Sequence, residues 1–457
     1  DKTKKQFKIM FKNIFLFLNL FFLFISILAT SQSFDIYNDQ LLLEDVNYNL
    51  NQEIDNSNVY NYPKAVKIEH NANELLDPII TLHSSETLKV SFDILGSETS
   101  SYAYTFIHCS SDWMHSDITQ SEYLNGFSDN YINNYEYSFN TLADYCHYEF
   151  DFPNEDVSFK KSGNYIVLVY DAEKNIPILT KRFMIYEDYL NIEIDVKKAT
   201  LAKDRNTKQE IDFFINYYYL KQKSDFKIQD PKNELKIIIQ KNDDWNNTIK
   251  DCKPSFIDNK VLEFDYQEEM SFLGGNEYRD FDIKSLRYYG KNIKSIKQQN
   301  TQGGNIYHVT LQKDIIYNKE EYLFKYDLNG KYIIAVSENK NKDIESDYAL
   351  IKFTLESSEI ENKDIYIYGE LTNWRLLRYA KMNYNANNNN YYGFLYLKQG
   401  YYNYQYVSRD KDGKMEFLDG NYQETRNQYS IYTYYAPNWS SYDRLIGVGK
   451  STSNALN

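Results

Sequence analysis

Thr87–Leu95 reads TLKVSFDIL, the order of a half-buried β-strand. Leu88, Val90, Phe92 and Ile94 alternate with Lys89, Ser91 and Asp93, so one set faces a core and the other faces away from it. Downstream, Tyr102–Cys109 is apolar on both faces and suits an inner strand. Tyr145–Phe152 ends at the turn Pro153-Asn154, Ser162-Gly163-Asn164 is a second turn, Tyr165–Tyr170 is a buried strand, and Ile178–Tyr186 closes the set. Short strands divided by turn signals, without a helical period between them, predict an antiparallel sandwich.

The pattern recurs. A second set comprises Ile192–Val196, Gln209–Leu220, Glu234–Gln240, Lys260–Tyr266, Ile306–Gln312 and Tyr332–Ser337, with a clean alternation at Ile211, Phe213, Ile215, Tyr217 and Tyr219. A third begins near Asp347 and takes in Tyr348–Leu355, Asp364–Glu370, Tyr391–Leu397, Tyr401–Val407, Lys414–Leu418 and Gln428–Tyr434. The expectation is an all-β chain of three tandem antiparallel, immunoglobulin-like sandwiches. Their bounds are 32–190, with an aromatic insertion over 110–145, then 191–345 and 346–450. A length of 457 residues accommodates that many domains, and 46 Tyr with 27 Phe favours strands.

Lys4, Lys5, Lys8 and Lys12 precede the apolar run Ile14–Leu28, and Ala29-Thr30-Ser31 supplies small residues after it. This predicts a signal peptide over 1–31 and an exported chain. A net charge of −14 argues against a protein that tracks nucleic-acid phosphates or lies on an anionic membrane. Cys109 and Cys146 flank the insertion and could staple its base, but loose thiols in small strand positions are the preferred reading of these and of Cys252.

The sequence holds no nucleotide loop, no GxSxG elbow and no HExxH, so no catalytic residue is assigned and no cofactor is expected. His108, Cys109, Asp112, His115, Asp117, Cys146 and His147 superficially resemble a metal cluster. Adjacent strand residues point to opposite faces, so at most one of each His/Cys pair could ligate, and no metal is expected. The insertion is the distinctive stretch. Trp113, Tyr123, Phe127, Tyr131, Tyr135, Tyr137 and Phe139 are interleaved with Asn and Asp, which marks either a scaffold packed on its own domain or a recognition surface.

Two resemblances follow from longer motifs. Ile365-Tyr366-Ile367-Tyr368-Gly369-Glu370-Leu371-Thr372-Asn373-Trp374 is similar to the opening of starch- and glycogen-binding sandwiches, which implies a glycan-stacking role for Trp374 as an alternative function. Phe106-Ile107-His108-Cys109 with Asp112-Trp113, Glu122–Phe127, Tyr135–Thr141, Ser162–Tyr165, Thr180–Met184, and Gly274–Arg279 with Phe281–Tyr288 resemble type IX secretion system plug proteins of Bacteroidetes. Ser110 and Ser111 depart from that pattern, standing where small acidic or alanine residues are common.

The plug resemblance implies a non-enzymatic periplasmic protein, monomeric when free, peripheral to the inner face of the outer membrane. Such a protein seals the periplasmic mouth of a β-barrel translocon. The expected contact surface is the insertion residues above together with the Gly274–Tyr288 segment, in particular Asn276 and Arg279.

Overall fold

In the computed structural model, which describes residues 63–453 apart from 221, 222, 224, 227, 302, 303, 318–321 and 340, Leu88–Leu95 is the strand its alternation requires. Leu88, Val90 and Phe92 are fully buried, and the strand pairs with Pro63–His70 on one side and Tyr145–Phe152 on the other. The short strand Asn134–Tyr137 ends that sheet. Facing it, Tyr102–Cys109 and Gly163–Asp171 lie at the centre of a second sheet, both buried along their whole length. Ile176–Tyr186 and Ile79–Thr81 extend this sheet at one edge, and Asn130–Tyr131 forms the other. Aromatic rings fill the space between the sheets: Phe106 meets Phe152 at 4.9 Å and Phe159 at 5.0 Å, and Tyr104 stacks on Phe150 at 4.0 Å. With 51% strand and 5% helix, the all-β expectation holds. The expected signal peptide lies outside the described residues.

The other two cores depart from a tandem arrangement. Asn191–Lys198, Lys208–Asn216 and Val261–Phe264 form one layer of the second sandwich. Its facing layer pairs Asp244–Ile249 and Leu235–Lys241 with the late strands Gln428–Tyr435 and Arg444–Thr452. Ile211, Phe213 and Ile215 therefore pack in one core with Tyr429, Ile431 and Ile446. The third sandwich is inserted into the second. It runs from Arg279–Asp282 to Met415–Phe417, with Tyr348–Glu356 and Asn390–Lys398 in one sheet and Gly400–Asp410 at the centre of the other.

The boundary expected between 345 and 346 consequently falls inside the third sandwich, and the expected end at 450 takes in two strands of the second. The physical reason is pairing. Gln428–Tyr435 has seven residues in register with Leu235–Lys241, from Leu235↔Tyr435 to Lys241↔Tyr429, and is buried on both faces.

Buried polar groups join the sandwiches. Asp93 belongs to the face that alternation assigns to solvent, yet it is fully buried, because the third sandwich covers that face. Its carboxylate accepts from Lys398 Nζ and from Tyr348 Oη, both at 2.6 Å, and contacts His147 Nδ1 at 2.6 Å. Elsewhere Asp77 of the first sandwich is bridged to Lys331 of the third at 2.7 Å and to Lys450 of the second. Glu187, just after the first sandwich, receives Arg444 on both carboxylate oxygens, at 3.0 and 2.7 Å.

Candidate interaction surface

The insertion leaves Tyr102–Cys109 through a tight polar turn. Trp113 N–H donates to Ser110 O at 2.9 Å, Ser110 N–H to Met114 O at 2.7 Å, and Ser116 N–H to His108 O at 3.1 Å. Trp113 itself has φ +64°, a conformation costly for a bulky residue and retained only where packing compensates. That packing is visible: the Trp245 ring of the second sandwich lies edge-on at 5.0 Å, and the Arg182 guanidinium sits 4.7 Å from the indole centre. Trp113 is thus buried between the first two sandwiches and is withdrawn as a partner contact.

Tyr123 is withdrawn as well. It ends the helical turn Gln120–Tyr123, which Glu122 caps by accepting from Thr119 N–H at 2.7 Å. Its ring enters the first core, and its hydroxyl donates to Phe106 O at 2.9 Å.

After Tyr123 the chain turns outward. Leu124–Gly126 pairs with Val157–Phe159, and Gly126, at φ +104°, lies so close to Asp156 that a Cβ would stand 1.9 Å from its carbonyl oxygen. Asn130–Tyr131 then edges one sheet, Ile132 inserts into the core, and Asn134–Tyr137 edges the other, so the insertion crosses the open side of the sandwich. On this margin Phe127 (66%), Tyr131 (64%), Tyr135 (46%), Tyr137 (52%) and Phe139 (66%) are exposed. Met114 and Leu142 at the ends of the insertion are exposed too, and single apolar residues inside polar loops were the sequence signal for them. Solitary exposed rings are ordinary, whereas several on one short segment make this margin the candidate interaction surface of the domain.

The Gly274–Tyr288 segment separates into interior and surface. Arg279 is buried: Nε and Nη2 donate to the two Asp419 oxygens at 2.9 and 2.7 Å, and Nη1 donates to Asp314 at 2.8 Å. Tyr404 and Tyr406 hydroxyls donate to the other Asp314 oxygen at 2.7 and 2.8 Å. Asn276 Nδ2 donates to Asp419 O at 3.0 Å and its carbonyl accepts from Gln405. Arg279 is therefore withdrawn as a partner contact, and Asn276 is half-buried with its side-chain amide turned inward; Tyr288 at the end of this segment is widely exposed.

Trp374 is also corrected. Its ring lies edge-on to Tyr368 at 5.7 Å and Tyr278 at 6.1 Å, against Gly330, where a Cβ would fall 2.2 Å from it. Its carbonyl accepts from Asn246 of the second sandwich at 2.7 Å. The ring is therefore partly buried in that joint and not the free-standing platform that its motif implies.

The apparent metal cluster divides between two sheets, with His108 and Cys109 in one and Cys146 and His147 in the other. His108 is buried with Ser116 Oγ at 2.7 Å and Ser162 O at 3.1 Å, and burial pushes its pKa down to about 4. Cys109 and Cys146 stand in opposite sheets as free thiols, pushed by burial up to about 12 and about 11.

Residues 64–187, the first sandwich with its whole aromatic margin, match the family described as type 9 secretion system plug protein, first domain. The crystal structure of a hypothetical protein from Parabacteroides merdae is 33% identical, with a TM-score of 0.80 over 86% of this chain and 97% of that one. The chain belongs to the type 9 secretion system plug protein family. Its likeness to the Parabacteroides structure extends through the second and third sandwiches, since the alignment spans far more than the matched domain. The C-terminal domain of the Streptococcus pyogenes antigen I/II-family protein AspA aligns at 7% identity and a TM-score of 0.18, over 86% of this chain and 100% of that one. No curated protein is matched by the chain. Among the described residues, no helix of this plug-family protein is long and apolar enough to cross a membrane.

Proposed function

We propose that this protein closes the periplasmic mouth of the outer-membrane β-barrel translocon of type IX secretion while no cargo is engaged. It does so by protein–protein contact, without a catalytic step or cofactor. The observation that carries the reading is the exposed aromatic margin of the family-matched domain, Phe127, Tyr131, Tyr135, Tyr137 and Phe139. At these exposures each ring has about 100 Å² left to bury, so together they offer about 500 Å², most of the ~800 Å² that one partner gives to a standard interface. Joined sandwiches, pinned to one another through Asp93 and Asp77, suit a part that must cover a wide opening without deforming. The glycan-binding alternative loses its principal residue with the packing of Trp374.

The test is co-purification of translocon from native cells, with export blocked and unblocked, using wild type and the variant Phe127→Ser/Tyr135→Ser/Phe139→Ser. All three side chains are exposed, so each change should move stability by under about 0.5 kcal/mol. The expected result is at least tenfold less translocon recovered with the variant and an outer membrane leakier to small dyes. Undiminished recovery together with an intact barrier would refute the reading.

A further inference from the structure

His147 projects from the inner strand Tyr145–Phe152 toward the third sandwich, and its two ring nitrogens have unlike surroundings. Nδ1 is 2.6 Å from Asp93 Oδ1. Lys398, 2.6 Å from Oδ2, shares the Asp93 charge, and Asp93 both orients the imidazole and favours its protonated form, so a metal ion would bind with loss of the ring proton. Nε2 is buried with no hydrogen-bond partner, on a side chain only 9% exposed. Its nearest acidic oxygen, Glu149 Oε2, is 3.9 Å away, too far for a hydrogen bond.

Glu149 lies two residues along the same strand and so on the same face. The helical turn Lys342–Glu345 of the third sandwich brings Asp343 to the same point. One donor atom from each of His147, Glu149 and Asp343 then lies within 4.8 Å of the others. Two carboxylates thus gather near the ring, whose buried Nε2 has Glu149 as an ion-pair neighbour beyond hydrogen-bonding reach and no hydrogen bond of its own, an arrangement that a cation between them would stabilise. Imidazole with carboxylate oxygens is a donor set for first-row divalent ions, and a carboxylate behind the histidine is the usual support of such a ligand. Lys89 Nζ, 3.2 Å from Glu149 Oε2, is the competing cation, and Asn134 Nδ2 donates to Glu149 Oε1 at 2.8 Å.

The geometry points to a divalent transition-metal site, of the zinc or manganese kind, formed by His147, Glu149 and Asp343 and fastening the first sandwich to the third. The ion displaces Lys89, whose side chain is partly exposed and free to swing outward. Through Asn134, the same Glu149 steadies the edge strand Asn134–Tyr137. The site does not depend on the translocon reading.

The full chain, stripped with chelator and dialysed, would be titrated with zinc and with manganese by calorimetry. Bound metal would be counted by mass spectrometry and melting temperature recorded alongside. One ion per chain and a higher melting temperature are expected for wild type. His147→Gln and Asp343→Asn should each weaken binding at least tenfold and lose the thermal shift. Asp343 lies in a half-buried turn, so its variant remains informative should His147→Gln fail to fold. Absence of stoichiometric binding in wild type, or equal affinity in Asp343→Asn, would overturn the assignment.

Discussion

His108 shows how a single neutral side chain sets conditions for the whole insertion. It lies on a strand buried throughout, ringed by Tyr165 at 4.8 Å and by Tyr123 and Tyr442 at 5.6 Å, with its nitrogens held by Ser116 and Ser162. Burial is the largest influence on its pKa, and His115 and Lys161 push the same way, while the Ser162 carbonyl and Asp443 oppose them. The folded protein therefore resists protonation down to about 4, whereas an unfolded histidine takes its proton near about 6.5. The unfolded state binds the proton first as pH falls. Stability is full above about 6.5, declines below it, and by about 4 has lost on the order of 3 kcal/mol from this group alone. Urea unfolding at stepped pH between 7.5 and 4.5 checks this: His108→Gln should be less stable at neutral pH but show a shallower fall with acid. Parallel pH profiles for the two proteins would exclude the assignment.

At the scale of elements, alternation identified strands well, and partners poorly. Leu88–Leu95, Tyr102–Cys109 and Ile211–Tyr217 carried their burial in their own order of side chains. Nothing local in Gln428–Tyr435 says that its neighbour is Leu235–Lys241, almost two hundred residues earlier, so the nesting of the third sandwich was not legible. The aromatic insertion divided for the same reason. Phe127 and Phe139 stayed on the surface, while Trp113 was claimed by Trp245 and Arg182, residues that no spacing rule connects to it. For Arg279 a carboxylate partner was expected but not which one, because Asp314 and Asp419 are distant in sequence.

The Trp113 joint can be tested as an element. Removing its ring from between two sandwiches should cost about 3–5 kcal/mol in Trp113→Ala. The backbone at φ +64° reverses the usual order of small residues, since glycine adopts that conformation without strain. Trp113→Gly should therefore be no less stable than Trp113→Ala, measured by circular dichroism in urea; a glycine variant less stable by 1 kcal/mol or more would contradict the strained turn.

At one junction every sandwich contributes a charged side chain. Asp77 precedes Ile79–Thr81 in the first, Asp243 and Lys450 belong to the second, and Lys331 leads into Tyr332–Ile334 in the third. Lys331 bridges Asp77 and Asp243, and Lys450 takes the second oxygen of Asp77, to which Gln428 also donates at 3.2 Å. Burial would raise Asp77, but Lys331, the Asp243 side chain and Lys450 hold it well below the usual carboxylate range. Burial together with the Asp77 charge pushes Asp243 up to about 7.

Removing the central cation leaves Asp243 without a counter-ion beside Asp77, which keeps only Lys450, so Lys331→Met should cost about 3–5 kcal/mol. Connectivity decides how that loss is distributed. The second sandwich cannot close without strands on both sides of the third, so those two should unfold together. The first sandwich is joined to them by the short stretch between Tyr186 and Asn191 and by these polar junctions. Calorimetry should give one transition for wild type. In Lys331→Met an earlier transition should separate, with protease cutting at residues 187–190 as the first sandwich detaches. A single transition merely displaced to lower temperature would mean that the other junctions, Asp93 with Lys398 and Glu187 with Arg444, suffice to keep the three acting as one body.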